Sequence, residues 1–326
     1  MRPIMMRHRL ASCSTGLLTA VTVILFWGMT FASTRVLLED FSALEIQVIR
    51  FGVAWFVLWL ASACGRAKSR FCTFRDEALF AAMGLTGVAL YQFLENCAIY
   101  YTNASNVAIL VSFGPVVTAI LAWLLTGDKS LSPRFVLGAL VSVAGVALVS
   151  LNGVVNFQMR PLGDMMAAGA MVSWGVYSVL IDKANQRGIP QMEAVRRAFF
   201  WSLVMIAPLA VWGATETGFY ALDGSFSVTL DLGENIERFS RPLNLMNLAF
   251  LGVLASAACF VMWNRACKAL GVVRVTVGLY LTPIVGVMFA ALFLGEKLTA
   301  MSAGGGVLII TGVVLATIRF AGKEME

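Results

Sequence analysis

The chain has 326 residues, of which 59% are hydrophobic and only 13% charged, and its mean hydropathy of +0.83 excludes a soluble globular domain in favour of an integral membrane protein. A net charge of +6 would direct a soluble protein towards nucleic acid, but here the basic residues fall between apolar runs and report topology. The single histidine, His8, lies in the N-terminal tail and the six cysteines form no C-x-x-C pair, so no metal, cofactor or catalytic centre is expected.

About 20 apolar residues cross the hydrocarbon core of a bilayer, and ten runs of about that length follow one another. A tail over 1–15 carries Arg2, Arg7 and Arg9 ahead of the first run at 16–37. That run is too long for a secretory signal core and holds Trp27-Gly28, which recurs as Trp174-Gly175, so it is retained as a helix. Runs at 44–63, 78–100, 104–125 and 133–152 complete a first set over 16–152. The second set, over 163–320, has runs at 163–182, 194–213, 246–268, 273–294 and 298–320, then a tail at 321–326.

The two sets repeat one another. Trp27, Gly28 and Arg50 recur 147 residues later as Trp174, Gly175 and Arg197. Asn96, Ala98, Pro115, Gly127 and Lys129 recur 168 residues later as Asn264, Ala266, Pro283, Gly295 and Lys297, with Glu296 in the place of Asp128. Gly138 and Gly145 return as Gly305 and Gly312. Five helices is an odd number, so the halves stand upside down relative to each other. The expected fold is all-α and integral to the membrane: ten transmembrane helices as two inverted five-helix repeats.

Lys and Arg set the orientation. With a cytoplasmic N-terminus sixteen of them lie inside and four, Arg160, Arg238, Arg241 and Lys297, outside, so both termini are expected in the cytoplasm of a bacterial-type inner (plasma) membrane. The long outer loop, about 214–245, is net acidic, and the alternation in SFSVTL after Asp223-Gly224 suits either a short hairpin or a loose insertion. Asn103-Ala104-Ser105 has the pattern of a glycosylation acceptor but is pressed between two membrane runs, and reads as a tight turn.

The Trp-Gly of the first helix, the Arg of the second, the run AIYYTNASNVAIL, the mid-helix Pro115 with Gly127-Asp128-Lys129, and Gly138 and Gly145 together resemble the EamA-type repeat of the drug/metabolite transporter superfamily. The resemblance covers nearly the whole chain. It departs from the pattern at Asp128, where Glu is usual, in the second half, which lacks the Y-T-x-A-S run, and in the long outer loop. It implies a ten-helix carrier, of a kind many of whose members export amino acids or other small metabolites.

Glu95 is the most informative residue, because it lies inside an apolar run with Tyr91, Gln92 and Asn96 on its side of the helix. Charge facing lipid costs roughly 2.5–3.5 kcal/mol, so this stripe faces protein or water. Glu95 reads as a proton carrier or partner of a substrate ammonium, or else as a structural carboxylate, protonated or paired with Arg. Its counterpart is Trp263, beside Asn264, so the site is asymmetric. Arg50 and Arg197 read first as snorkelling or helix-end residues and second as substrate contacts. Trp27 and Trp174, with Tyr177 on the same helix as Trp174, wall a cavity or simply pack. Ser112, Thr118, Tyr280 and Thr282 flank Pro115 and Pro283, each of which frees a backbone carbonyl four residues earlier, and either bind substrate or repair the broken helix ladder.

The expected function is secondary transport, the export of a small metabolite such as an amino acid by alternating access. Its partners are a small-molecule substrate and the lipid bilayer, without nucleic acid and without cofactor. No G-x-x-x-x-G-K-[ST] loop is present for direct use of ATP. Two rivals stand: a passive channel or scaffold, and a membrane-embedded enzyme, which would need the clustered His, Asp or Glu that the sequence lacks.

Overall fold

The computed structural model describes residues 2–64, 73–101, 104–151, 160–213, 219–220, 227–228, 236–293 and 298–322. The Asn103 turn, the basic segment holding Arg66, Lys68 and Arg70, Gly295-Glu296-Lys297 and most of the 214–245 loop lie outside these residues.

In hydrocarbon a backbone must satisfy its own N–H and C=O groups, so the apolar runs fold as helices. The first half comprises α1 (Arg2–Leu37), α2 (Ala43–Cys64), α3 (Phe74–Gly84), α4 (Tyr91–Tyr101), α5 (Ala104–Val111), α6 (Gly114–Thr126) and α7 (Pro133–Leu151). The second comprises α8 (Pro161–Gln186), α9 (Gln191–Gly213), α10 (Glu237–Ser240), α11 (Pro242–Ala249), α12 (Cys259–Leu270), α13 (Val272–Val277), α14 (Thr282–Phe293) and α15 (Ala300–Gly322). Between α9 and α10, Phe219–Tyr220 pairs antiparallel with Ser227–Val228, Phe219 opposite Val228, so the loop contains a hairpin.

Among the described residues nine helical stretches are long and apolar enough to cross a membrane. The stretch at α9 is not one of them, because Glu193, Arg196 and Arg197 fall in its first two turns and Pro208 lies inside it. Helix 1 begins at Arg2 rather than at 16, since the tail's Met, Arg and Leu residues continue a helix readily.

Two kinds of irregularity shape the centre. Pro115 lacks the N–H that would continue one helix through the run at 104–125, so α5 ends at Val111 and α6 restarts at Gly114 with Pro115 in its first turn, where no donor is needed. Pro283 occupies the same place in α14, preceded by a 3₁₀ turn at Gly278–Leu281. The other irregularity is a π-helical turn ahead of α4, at Leu85–Leu90, and ahead of α12, at Phe250–Ala258. Each widened turn rotates the helix that follows it and so re-aims its side chains.

Gly16 of α1 lies against Ala269 and Leu270 at the end of α12, which borders Asp128–Ser130 after α6. From there α7 starts, and Gly138 near its beginning meets Gly312 and Ala316 near the end of α15. The first helix thus begins, and the last ends, on one face of the bundle, the terminal face. The opposite side is the far face.

Each face carries a polar junction. On the far face the Arg238 guanidinium, 8% exposed, donates to Glu45, 2% exposed, at 2.8 Å and to the Asp40 carbonyl at 3.0 Å, and lies over the Phe41 ring. Arg241 and Asn244 both donate to the Asp40 carboxylate, at 2.7 and 2.8 Å. On the terminal face Asp76 caps α3 through Thr73 and accepts from Arg187 at 3.0 Å. Arg197 joins Glu77 and Glu193 there, Arg196 also donates to Glu193, and the Trp201 indole donates to Glu77.

The Asn244 amide and then the Arg241 charge hold the Asp40 carboxyl below the usual carboxylate range. Its contribution to stability is therefore complete above the unfolded-chain pKa of about 3.9 and is lost as pH falls through the lower folded value. Melting followed against pH should show an Asp40-dependent loss only in solutions more acidic than about 4, and Asp40→Asn should remove that acid limb. An Asp40-dependent loss between pH 7 and 5 would contradict it.

Helices α7 and α15 approach so closely that a Cβ at Gly138 would lie 2.5 Å from the Ala316 nitrogen and 2.6 Å from the Gly312 oxygen. Backbone atoms cannot move aside. Gly138→Val should lower thermal stability by about 1–3 kcal/mol, whereas Gly304→Ala, with open space around it, should be neutral or stabilising. Equal melting of the two variants would argue against the close packing.

Candidate functional site

The π turn before α4 sets Tyr91, Gln92 and Glu95 on one side of the helix, facing Arg50 of α2. Arg50 donates from Nε to the Ser256 hydroxyl at 2.5 Å and from Nη1 to the Gln92 side-chain oxygen at 3.3 Å. Gln92 in turn donates its amide to Glu95 Oε2 at 3.1 Å, and the Tyr91 hydroxyl donates to Glu95 Oε1 at 3.0 Å. Opposite charges are thus bridged through a neutral amide rather than joined in a direct ion pair. Arg50, Tyr91, Gln92, Glu95 and Asn96 are all half-buried. Inside an apolar bundle, that combination means polar groups that remain reachable.

Aromatic rings back this network. Tyr91 lies 5.1 Å from Trp174, and Trp27 lies 5.7 Å from Trp174 and 5.0 Å from Trp263, between ring centroids. Tyr177 and Phe260 complete the wall, and Asn264 donates to the Tyr177 hydroxyl at 3.1 Å. The Trp27 indole N–H donates to the Ala255 carbonyl within the second π turn. One wall therefore joins α1, α4, α8 and α12, drawn from both halves of the sequence.

Of the residues that the sequence suggests, Trp27, Arg50, Tyr91, Gln92, Glu95, Trp174, Tyr177, Trp263 and Asn264 come together in one network and wall. Asn96 sits beside it without a side-chain hydrogen bond among those described. Arg197 does not join: although Arg50 is its repeat counterpart, it lies in the terminal-face junction between α3 and α9. Ser112 donates to the Ile109 carbonyl at 2.6 Å, a local bond just ahead of the break rather than one to the Val111 carbonyl that Pro115 frees. Beside the prolines, the hydroxyls of Thr118, Tyr280 and Thr282 are buried without a partner among the described residues.

Ser256, the second anchor of Arg50, and Phe260 were not legible in the sequence. Serine and phenylalanine in apolar runs carry no periodic signal, and only the π turn brings Ser256 towards α2. A cleft of about 400 Å³ between Asp128–Ser130 and Leu270–Arg274 lies on the terminal face away from the network. The network is the better candidate site, because charges at bilayer depth need a reason that charges at a watery mouth do not.

A bundle of apolar helices that encloses bridged charges and an aromatic wall where its two halves meet defines the class: a multi-pass membrane transporter. The chain belongs to the EamA-like transporter family, whose profile matches residues 14–151 and again 161–318. It is similar to the "Probable terminal-alkyne amino-acid exporter" of Streptantibioticus cattleyicolor, 26% identical over 94% of each chain. It is also similar to the "Probable amino-acid metabolite efflux pump" of Escherichia coli (strain K12), 26% identical over 91% of this chain and 92% of that one. An "Uncharacterized transporter" of Archaeoglobus fulgidus is 28% identical over 94% and 98%. A solved crystal structure shares the fold at a TM-score of 0.73 with 18% identity, covering 94% of this chain and 97% of the other.

Gln92→Leu would leave Arg50 Nη1 and Glu95 Oε2 without their bridge, which should destabilise the protein by about 1–3 kcal/mol. Thermal unfolding in detergent measures this, and a melting temperature equal to that of the unaltered protein would count against the bridge.

Proposed function

We propose that this chain is a secondary transporter of the inner membrane that exports a small zwitterionic metabolite, an amino acid or a close relative, by alternating access. The carrying observation is the Arg50–Gln92–Glu95 bridge set against an aromatic wall. A positive and a negative group held apart by an amide offer one partner for a carboxylate and one for an ammonium, while the rings receive an apolar side chain. The exporter names of the relatives in Streptantibioticus cattleyicolor and Escherichia coli support the same cargo and direction.

The proposed architecture is ten spans in two inverted repeats, 16–152 and 163–320, with α9 as the tenth span. Matched contacts support it: Gly28 abuts Val285 where Gly175 abuts Val117, and those pairs are related by the sequence offsets 147 and 168. Proline breaks also fall at matched depth. On the terminal side α6 packs against α13, whereas on the far side α5 packs on α7 and α8, and α14 on α1 and α7. This asymmetry suits a carrier whose site alternates between faces. Both termini are proposed to face the cytoplasm, from the Lys/Arg bias.

Purified protein in proteoliposomes preloaded with a mixture of unlabelled L-amino acids should take up a labelled one by counterflow. Arg50→Gln and Glu95→Gln should each weaken that exchange at least tenfold while still folding, because a hydrogen bond to a charged group contributes about 1.5–3 kcal/mol. Absence of counterflow for all the amino acids would contradict the cargo, and undiminished exchange in both variants would contradict the site. For orientation, a cysteine placed at Gly224 should react with an impermeant thiol reagent in intact cells while one at Ser69 should not. The reverse pattern would overturn the topology.

A further inference from the structure

Two buried hydrogen-bond donors in the aromatic wall have nothing to donate to among the described residues. The indole N–H groups of Trp174 and Trp263 have no partner among the described residues, although the residues are only 7% and 0% exposed. Their ring centroids are 6.0 Å apart. Trp27, the third indole of the wall, differs, because its N–H is satisfied by the Ala255 carbonyl at 2.9 Å. An indole nitrogen donates and cannot accept, and buried donors in folded proteins are nearly always paired. Phenylalanine would supply an aromatic wall without either orphan.

The neighbouring acceptors are already engaged. Both oxygens of Glu95 accept, from Tyr91 and Gln92, and the Tyr177 hydroxyl accepts from Asn264. Nearby, Arg50 commits Nε and Nη1 to Ser256 and Gln92. The wall is therefore rich in donors and positive on one side, the complement of an anionic group with several lone pairs.

We infer that Trp174 and Trp263 present their indole N–H groups to the carboxylate of the transported molecule, and so are specificity residues of the central site. The inference rests on the export reading above and deepens it. The ammonium end is left to Glu95, and the two ends are read by different helices, α8 and α12 beside Arg50 of α2 for the acid and α4 for the amine. Trp263 is fully enclosed in this state, so its N–H meets the carboxylate when its contact with Trp27 opens. Recognition and opening are thereby one event.

The test uses the full chain in lipid nanodiscs with ¹⁵N-labelled indoles, the two resonances being assigned by Trp174→Phe and Trp263→Phe, with lipid-exposed Trp123 as the internal control. The probes are acetate, L-phenylalanine, and phenethylamine, which is phenylalanine without its carboxylate. Acetate and L-phenylalanine should move the Trp174 and Trp263 N–H signals downfield and leave Trp123 in place, and phenethylamine should not move them. In counterflow each Trp→Phe variant should raise the KM for L-phenylalanine by about tenfold, the share of one charge-assisted hydrogen bond. If counterflow occurs but neither carboxylate shifts the signals, the donors face a resident water or a ring, and the inference falls while the export reading stands. If acetate shifts them but no L-amino acid is exchanged, the donor site stands and the export reading falls.

Discussion

The cost of charge in hydrocarbon is the constraint on which the centre of this molecule depends. Arg50 and Glu95 lie in helices that otherwise face lipid, and each would cost roughly 2.5–3.5 kcal/mol exposed to it. The chain meets that cost by enclosure and bridging. Gln92 gives its amide to Glu95 and its carbonyl to Arg50, Tyr91 gives its hydroxyl to Glu95, and Ser256 takes the remaining Arg50 contact. Arg50 lies in the regular helix α2, but the groups that meet it lie in or follow π turns. Glu95 reaches the seam because Leu85–Leu90 is widened into a π turn, and Ser256 reaches Arg50 because Phe250–Ala258 is as well.

Irregular backbone is affordable at this depth only where protein or a cavity surrounds it. The breaks at Pro115 and Pro283 and the two π turns lie beside the aromatic wall. Around them the bundle is held by close helix contacts, Gly138 and Gly145 of α7 against Gly312 and Gly305 of α15. The polar junctions at the two faces hold different pairs of elements: Asp40 and Glu45 bind the α1–α2 turn to α10 and α11, while Asp76 and Glu77 bind α3 to α8 and α9. A rigid scaffold and a less regular centre are thus separate parts of one chain.

Much of this was legible in the residues. Apolar length sufficed to find the helices, because the bilayer fixes how long each must be. Proline at matched positions marked the breaks, since its missing N–H acts locally. Glu95 declared itself as a carboxylate in an apolar run, and its one-sided stripe with Tyr91 and Gln92 proved to be a hydrogen-bonded unit. The π turns were not legible, because Leu85–Leu90 and Phe250–Ala258 have the composition of ordinary membrane helix and only tertiary packing selects the wider turn. Arg197 shows the limit of reasoning by repeat: it occupies the position of Arg50 yet pairs directly with Glu77 and Glu193, whereas Arg50 meets Ser256 and Gln92. The far-face junction also escaped, since its partners, Asp40 with Arg241 and Glu45 with Arg238, are some two hundred residues apart in sequence.

The central claim is that the bridged charges bind the cargo rather than merely hold helices together. Calorimetric titration of the purified protein with an amino acid that it exchanges separates the two directly, run beside a variant in which Glu95→Gln retains the hydrogen-bonding shape but not the charge. A loss of affinity of tenfold or more is expected, as for a charge-assisted hydrogen bond of about 1.5–3 kcal/mol, at a nearly unchanged melting temperature. Unchanged affinity together with a lowered melting temperature would contradict it and make Glu95 a structural residue.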